Sequence, residues 1–188
     1  MTGISISVEL RAGEARNRLQ GLLDRMDNRR PLFASIGERL VKSASDNFRA
    51  EKAPDGKPWK KLQPRTIRER EKRKLTPIAI LRARGHLAGS INYAATNDEV
   101  RIGSPVEYAA IHQLGGTIQQ PDRAAKIYRK RDADGKIGRR FVKKSAADVI
   151  TDVTIPGRAI IIPARPYLGL SPADEAAILE DAADWLAP

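Results

Sequence analysis

Apolar residues recur along this chain in two rhythms. "ISISVEL", Ile4 to Leu10, alternates apolar and polar positions with the period of two that marks a half-buried strand, and is expected to pair at a sheet edge. From Glu14 to Asp27 the rhythm becomes three-and-four, through Leu19, Leu22, Leu23 and Met26. A second such stretch opens at Pro31 and runs through Phe33, Ile36, Leu40, Val41 and Phe48. Two amphipathic helices are therefore predicted, the second ending near Lys52, where "APDG" supplies a proline and a turn. Gly21 and Gly37 lie inside these patterns. Each costs about 1 kcal/mol relative to Ala, a penalty usually tolerated where helices pack closely.

Beyond the turn, "PRTIREREKRKL" reads as a short, highly charged helix with little apolar face. "ILRARGHLAGSI" follows as two apolar turns around a glycine break, leading into "INYAAT" and "EVRIGS", two strands of a hairpin joined at Asn97-Asp98. Val106 to Leu114 has helical spacing through Val106, Ala109, Ala110 and Leu114, and Gly115-Gly116 stops it as a glycine cap. From Thr117 to about Ile155 the texture changes to two basic alternating runs around Asp134-Gly135, a strong hairpin signal. Ile160 to Ile162 suit a buried strand ended by Pro163 and Pro166, and Pro172 opens a closing helix, "ADEAAILEDAADWLA". The pattern predicts an α+β domain: N-terminal helices and a C-terminal helix packed on a small, mostly antiparallel sheet. The whole chain, 1–188, is read as one domain, with 117–155 as an inserted basic hairpin arm.

Composition changes this picture in three ways. The 188 residues include no cysteine, which removes disulfides, thiolate zinc sites and a cysteine nucleophile. No apolar run approaches a bilayer span, and the start lacks the basic and apolar regions of a signal peptide, so the chain is expected to stay in the cytoplasm where it is made, with no membrane partner. Thirty-four Lys and Arg against 23 Asp and Glu leave a net charge of +11, concentrated in Asp55–Leu75 and Gln119–Lys144. The tail from Ser171 carries five carboxylates and no Lys or Arg, so the two kinds of surface could attract copies of each other. The basic runs are equally readable as solvated faces or as phosphate contacts, the latter by Lys60, Lys61, Arg65, Arg129, Lys130, Arg139 and Arg140.

The residues of ordinary catalysis do not assemble into a pattern. His86 and His112 lie far apart with no carboxylate at metal-ligand spacing, and no Gly-rich segment matches a phosphate-binding loop. Asp55, beside Lys57 and Lys60, lacks the second carboxylate a nuclease metal would need and reads as a turn residue. No catalytic, metal or cofactor site is assigned. Trp59, one of two tryptophans, is held behind "PDGKP" in a basic loop and reads as an anchor onto an apolar surface of its own chain, with an intersubunit contact as the alternative. Arg165 and Tyr167, between prolines, are candidate contacts to a neighbouring copy, although Tyr167 could equally cap the core.

Four clusters, "PDGKPWKKL", "ILRARGHLAGSI", "YAAIHQLGG" and "IPARPYLGLS", resemble in type and order the virion morphogenesis and tail completion family of Mu-like and related tailed phages. The matching positions include Asp55, Gly56 and Trp59; Gly85 and Leu87; Tyr108, His112, Gly115 and Gly116; and Pro163, Arg165, Pro166 and Gly169. The resemblance implies a structural virion protein of the neck or upper tail, not an enzyme, made in the host cytoplasm and needed for head-tail joining. It implies a ring of identical subunits, a hexamer in preference to a dodecamer, meeting the tail terminator or tube and the head connector around passing DNA. The runner-up is a nucleic-acid-binding protein, weakened because only Trp59, Tyr128 and Phe141 interleave with the basic segments.

Overall fold

The computed structural model describes residues 12–187, so the strand expected over Ile4–Leu10 lies outside the described residues. The chain divides into two compact units: the part up to Leu114 together with the part from Ala164 onward, and Gly115–Pro163. Among the described residues there are five α-helices and several small antiparallel sheets, an α+β fold.

The first unit is organised by its longest helix. After α1 (Gly13–Asp27), α2 runs from Arg30 to Ala50 with Pro31 in its first turn, where a missing N–H costs nothing. It ends at Glu51, whose left-handed backbone (φ 54°) turns the chain out of the helix. One face of α2 packs on the hairpin of β1 (Asn92–Ala95) and β2 (Val100–Gly103), and another on α5 (Pro172–Leu186). Gly37 shows why a helix-weakening residue sits in α2: a Cβ there would lie 2.3 Å from the ring of Tyr93 on β1, so the ring rests on bare helix backbone. Gly21 has open space around its missing Cβ, and close packing does not account for it.

Between these elements lie α3 (Pro64–Lys72) and α4 (Ala109–Leu114). α4 is shorter than its apolar spacing predicts, because Val106–Tyr108 form a turn closed by Ala109 N–H donating to the Val106 carbonyl and by Ser104 Oγ accepting from Val106 N–H. α5 begins with a capping box: the Ser171 hydroxyl accepts from Asp174 N–H while the Asp174 carboxylate accepts from Ser171 N–H. Arg39 of α2 then clamps α5 through two hydrogen bonds to Asp181, at 2.8 and 2.7 Å. The apolar stripe predicted on α1 is present but uncovered by the described residues: Leu19, Leu23 and Met26 are exposed, and the helix buries none of its residues.

The second unit is built mainly of strands, with one short 3-10 turn at Lys144–Ala146. β3 (Gly116–Gln120) pairs with β7 (Arg158–Ile162), bringing Gln120 opposite Arg158. Between them β4 (Arg123–Arg131) is the centre of a three-stranded sheet, with β5 (Ile137–Phe141) on one side and β6 (Val149–Ile155) on the other. The Asp134-Gly135 hairpin forms as expected, with Gly135 at φ 76° and the Asp132 carboxylate accepting from Lys136 N–H. No residue between 115 and 163 is buried. Ile160–Ile162 therefore form a strand but not a buried one; alternate side chains of a two-stranded ribbon face opposite sides, and Ile161 is 78% exposed.

Candidate functional site

Three of the four sequence clusters are tied to each other around Phe48. Its ring meets Trp59 edge-on, with centroids 5.7 Å apart, and stacks on Tyr167 at 4.9 Å. All three are buried, Tyr167 to 1% exposure. The polar tips of the two amphipathic rings are satisfied within the chain: Trp59 Nε1 donates to the Pro166 carbonyl at 2.8 Å, and the Tyr167 hydroxyl donates to the Ala109 carbonyl at 3.0 Å. Leu87 and Ile91, from the fourth cluster, complete the same apolar core.

The loop that carries Trp59 is a miniature hairpin. Ala53 N–H donates to the Lys57 carbonyl, Gly56 takes φ 81°, and Asp55 accepts from Lys57 N–H, so Asp55 is the turn residue its position suggested. Glu51 secures both sides: its carbonyl accepts from Trp59 N–H, and its carboxylate accepts from Ile80 N–H at 2.6 Å. Lys57, Lys60 and Lys61 remain exposed while the indole is inside. Arg65, on α3, is exposed and spends its charge weakly on Glu69 one turn away.

The segment of "IPARPYLGLS" from Ala164 onward is held as if it were a strand. Gln113 of α4 accepts from the N–H groups of Tyr167 and Leu168 and donates to the Leu168 carbonyl, one side chain imitating a backbone ladder. Arg165, expected as a contact for a neighbouring copy, is 7% exposed, and its guanidinium donates twice to the Lys60 carbonyl, at 3.0 and 2.9 Å. Two of the carboxylates of the closing helix are engaged by other partners: Asp181 by Arg39, and Asp174 by Ser171 and Ser43. Arg165 thus acts inside its own subunit, joining the basic loop to the segment that precedes α5. Gly169 completes that approach, since a Cβ there would stand 2.9 Å from the Pro54 ring.

His112 sits beside this strut with its Nδ1 buried and without a partner. Burial, and then the neighbouring Arg165 charge, hold it below the ordinary histidine pKa, so the folded chain carries it neutral. Tyr108 meets it edge-on at 5.8 Å and is itself nearly half exposed. Gly115, at φ 74°, ends α4 as the cap the sequence suggested, followed by Gly116. Burial works against the charge of Asp174, but the hydroxyl and amide of Ser171, the Ser43 hydroxyl and Arg39 together keep its carboxyl below the ordinary aspartate value.

The basic arm is arranged differently. Arg129 is half-buried, with its guanidinium 5.7 Å from the Phe141 ring centroid, while Lys130, Arg139 and Arg140 are exposed. Among the described residues no group of three His, Asp or Glu could hold a metal ion, and no helix is long and apolar enough to cross a membrane. Phe48, Glu51 and Gln113 carry as much of the site as the residues the sequence singled out. Only Gln113 lies in one of the four clusters, and its fixed offset from Gly115 was the signal available.

The chain belongs to the phage virion morphogenesis family, whose model matches residues 10–187. Its role is accordingly in phage morphogenesis. It is 32% identical over 182 residues to "Mu-like prophage FluMu G protein 2" of Haemophilus influenzae, spanning 96% of this chain and 95% of that protein. It is 37% identical over 89 residues to "Putative capsid assembly protein G" of Escherichia phage Mu, covering 47% of this chain and 57% of that one. To "Tail completion protein S" of Escherichia phage P2 it is 33% identical over 104 residues, 53% of this chain and 68% of that one. No solved structure matches the chain.

Proposed function

We propose that this chain is a structural component of the phage neck or upper tail, which completes the tail and makes it competent to join a DNA-filled head. It acts by association, as a ring of identical copies built through head-to-tail interfaces and set between the tail tube or terminator and the head connector. The observation that carries the reading is the family match over residues 10–187, with a tail completion protein and a capsid assembly protein among the relatives. A protein acting where head meets tail would earn either description, because its loss leaves both parts unjoined.

The physical arrangement supports this reading. The family's clusters build a closely tied hub, and large apolar side chains are left uncovered by the described residues, among them Leu19 and Leu23 of α1, Leu179 of α5 and Phe141 of the arm. Exposed apolar groups gathered beside charges are the usual mark of protein–protein contact. A stop codon in the gene, followed by electron microscopy of the lysate, tests the proposal. Filled heads and separate tails are the expected result; absent or malformed capsids would place the chain in head assembly, and normally joined particles would remove it from both.

A further inference from the structure

Resting on the oligomeric reading above, we infer that the outer face of α5 is the docking surface for the arm of a second copy of this chain. Counting along α5, the exposed positions Glu175, Ala176, Leu179, Glu180, Ala183 and Asp184 recur at i, i+1, i+4, i+5, i+8 and i+9, which is a single stripe. Leu179 is its apolar centre, 72% exposed. Glu175, Glu180 and Asp184 line it, and none of the three carboxylates has a hydrogen bond or ion pair among the described residues. The opposite side of the same helix is already committed through Asp174 and Asp181, so the stripe is surplus to what holds α5 in place.

The arm offers the complementary surface. Between Gly115 and Pro163 there are eleven Lys and Arg against five Asp, whereas α5 holds five carboxylates and no Lys or Arg. On β5, Ile137 and Phe141 stand opposite Arg131 and Arg129 of β4 and so share one face of the sheet, with Arg139 between them in sequence. Phe141 is 71% exposed. β5 is an outer strand of its sheet. An apolar centre flanked by carboxylates on one body and by guanidinium groups on the other makes a contact in which charge selects the partner and the apolar groups supply adhesion. Because different surfaces meet, the contact propagates from copy to copy.

A cysteine-free chain makes the test direct. Leu179→Cys and Phe141→Cys are introduced into separate full-length chains, which are mixed and oxidised. The expected product is a disulfide dimer containing one of each, formed far above a control pair in which Arg101→Cys on β2 replaces Phe141→Cys. Glu180→Lys should lower that yield about tenfold, the factor equivalent to ~1.4 kcal/mol, and Arg139→Glu in the partner should restore much of it; circular dichroism confirms that each variant is folded. Yield equal to the control, closure of the double variant within one chain, or salt-dependent retention of duplex DNA by the arm without any crosslink would overturn the inference. The outcome is separable from that of the stop-codon phage: unjoined heads and tails with no crosslink reject this interface alone, and a crosslink with normally joined particles rejects the joining role alone.

Discussion

Trp59, His112 and Arg165 meet the same few backbone segments, and each has a separable consequence. Removing the indole at Trp59 empties a site shared with Phe48 and takes away the donor to Pro166. Trp59→Ala should therefore lower the unfolding free energy of the isolated chain by about 3 to 5 kcal/mol, read by urea denaturation. Trp59→Phe should cost clearly less, since it keeps the edge contact and loses the N–H. A stable Trp59→Ala chain would show that the indole is not an internal anchor. His112 is held neutral in the fold but takes up a proton when the chain unfolds below the ordinary histidine pKa of about 6.5. A folded-state pKa below the unfolded one means that the contribution is intact above that pH and is lost as pH falls toward the folded value. The melting temperature should accordingly decline over the pH interval just below about 6.5, and His112→Gln should flatten that decline. A wild-type melting temperature that does not move across this interval would contradict it.

At the scale of elements, the close fit of α2 against β1 gives a test of packing. Gly37→Ala puts a methyl group into the Tyr93 ring and should destabilise by about 1 to 3 kcal/mol, although alanine alone favours the helix. With Tyr93→Ala already present, the same Gly37→Ala substitution should be neutral or stabilising, a non-additivity that a double-mutant cycle measures. The strand register decides how the arm can be removed. An excision of 125–143 would strip β6 of its partner, whereas β3 and β7 bring Gln120 opposite Arg158. Replacing 121–157 by Asn-Gly, which suits a two-residue hairpin, should leave a cooperative melt, because no buried residue is lost. Loss of the whole transition would show that the arm belongs to the cooperative unit.

The helices of this chain, its two hairpin turns and the order of its four clusters were legible because they rest on local chemistry: apolar spacing, and proline and glycine at turns and helix ends. What covers each apolar face was not, since spacing marks a face as apolar without naming its neighbour. Leu19 and Leu23 keep helical spacing and are left uncovered by the described residues, and the three consecutive isoleucines of β7 read as core while Ile161 is exposed. The same limit applied to the site. Trp59 was recognisable as an anchor in its basic loop, but its acceptor, the Pro166 carbonyl, lies 107 residues away. Arg165 looked available to another subunit because nothing local shows that the Lys60 carbonyl reaches it.

For the whole molecule, the hub ties the four clusters together, surfaces of opposite charge offer association, and the proposed role lies at the junction of head and tail. The most direct measurement of that claim is add-back. A lysate from phage lacking the protein, containing filled heads and tails that lack only this chain, is mixed with purified wild-type chain, and the plaque titre is counted alongside micrographs. The account predicts that titre and joined particles rise together on adding the protein, with no new synthesis, and that Glu180→Lys chain restores neither. A titre that stays flat while heads and tails are individually intact, or one that recovers only when the protein is present before capsids form, would contradict it.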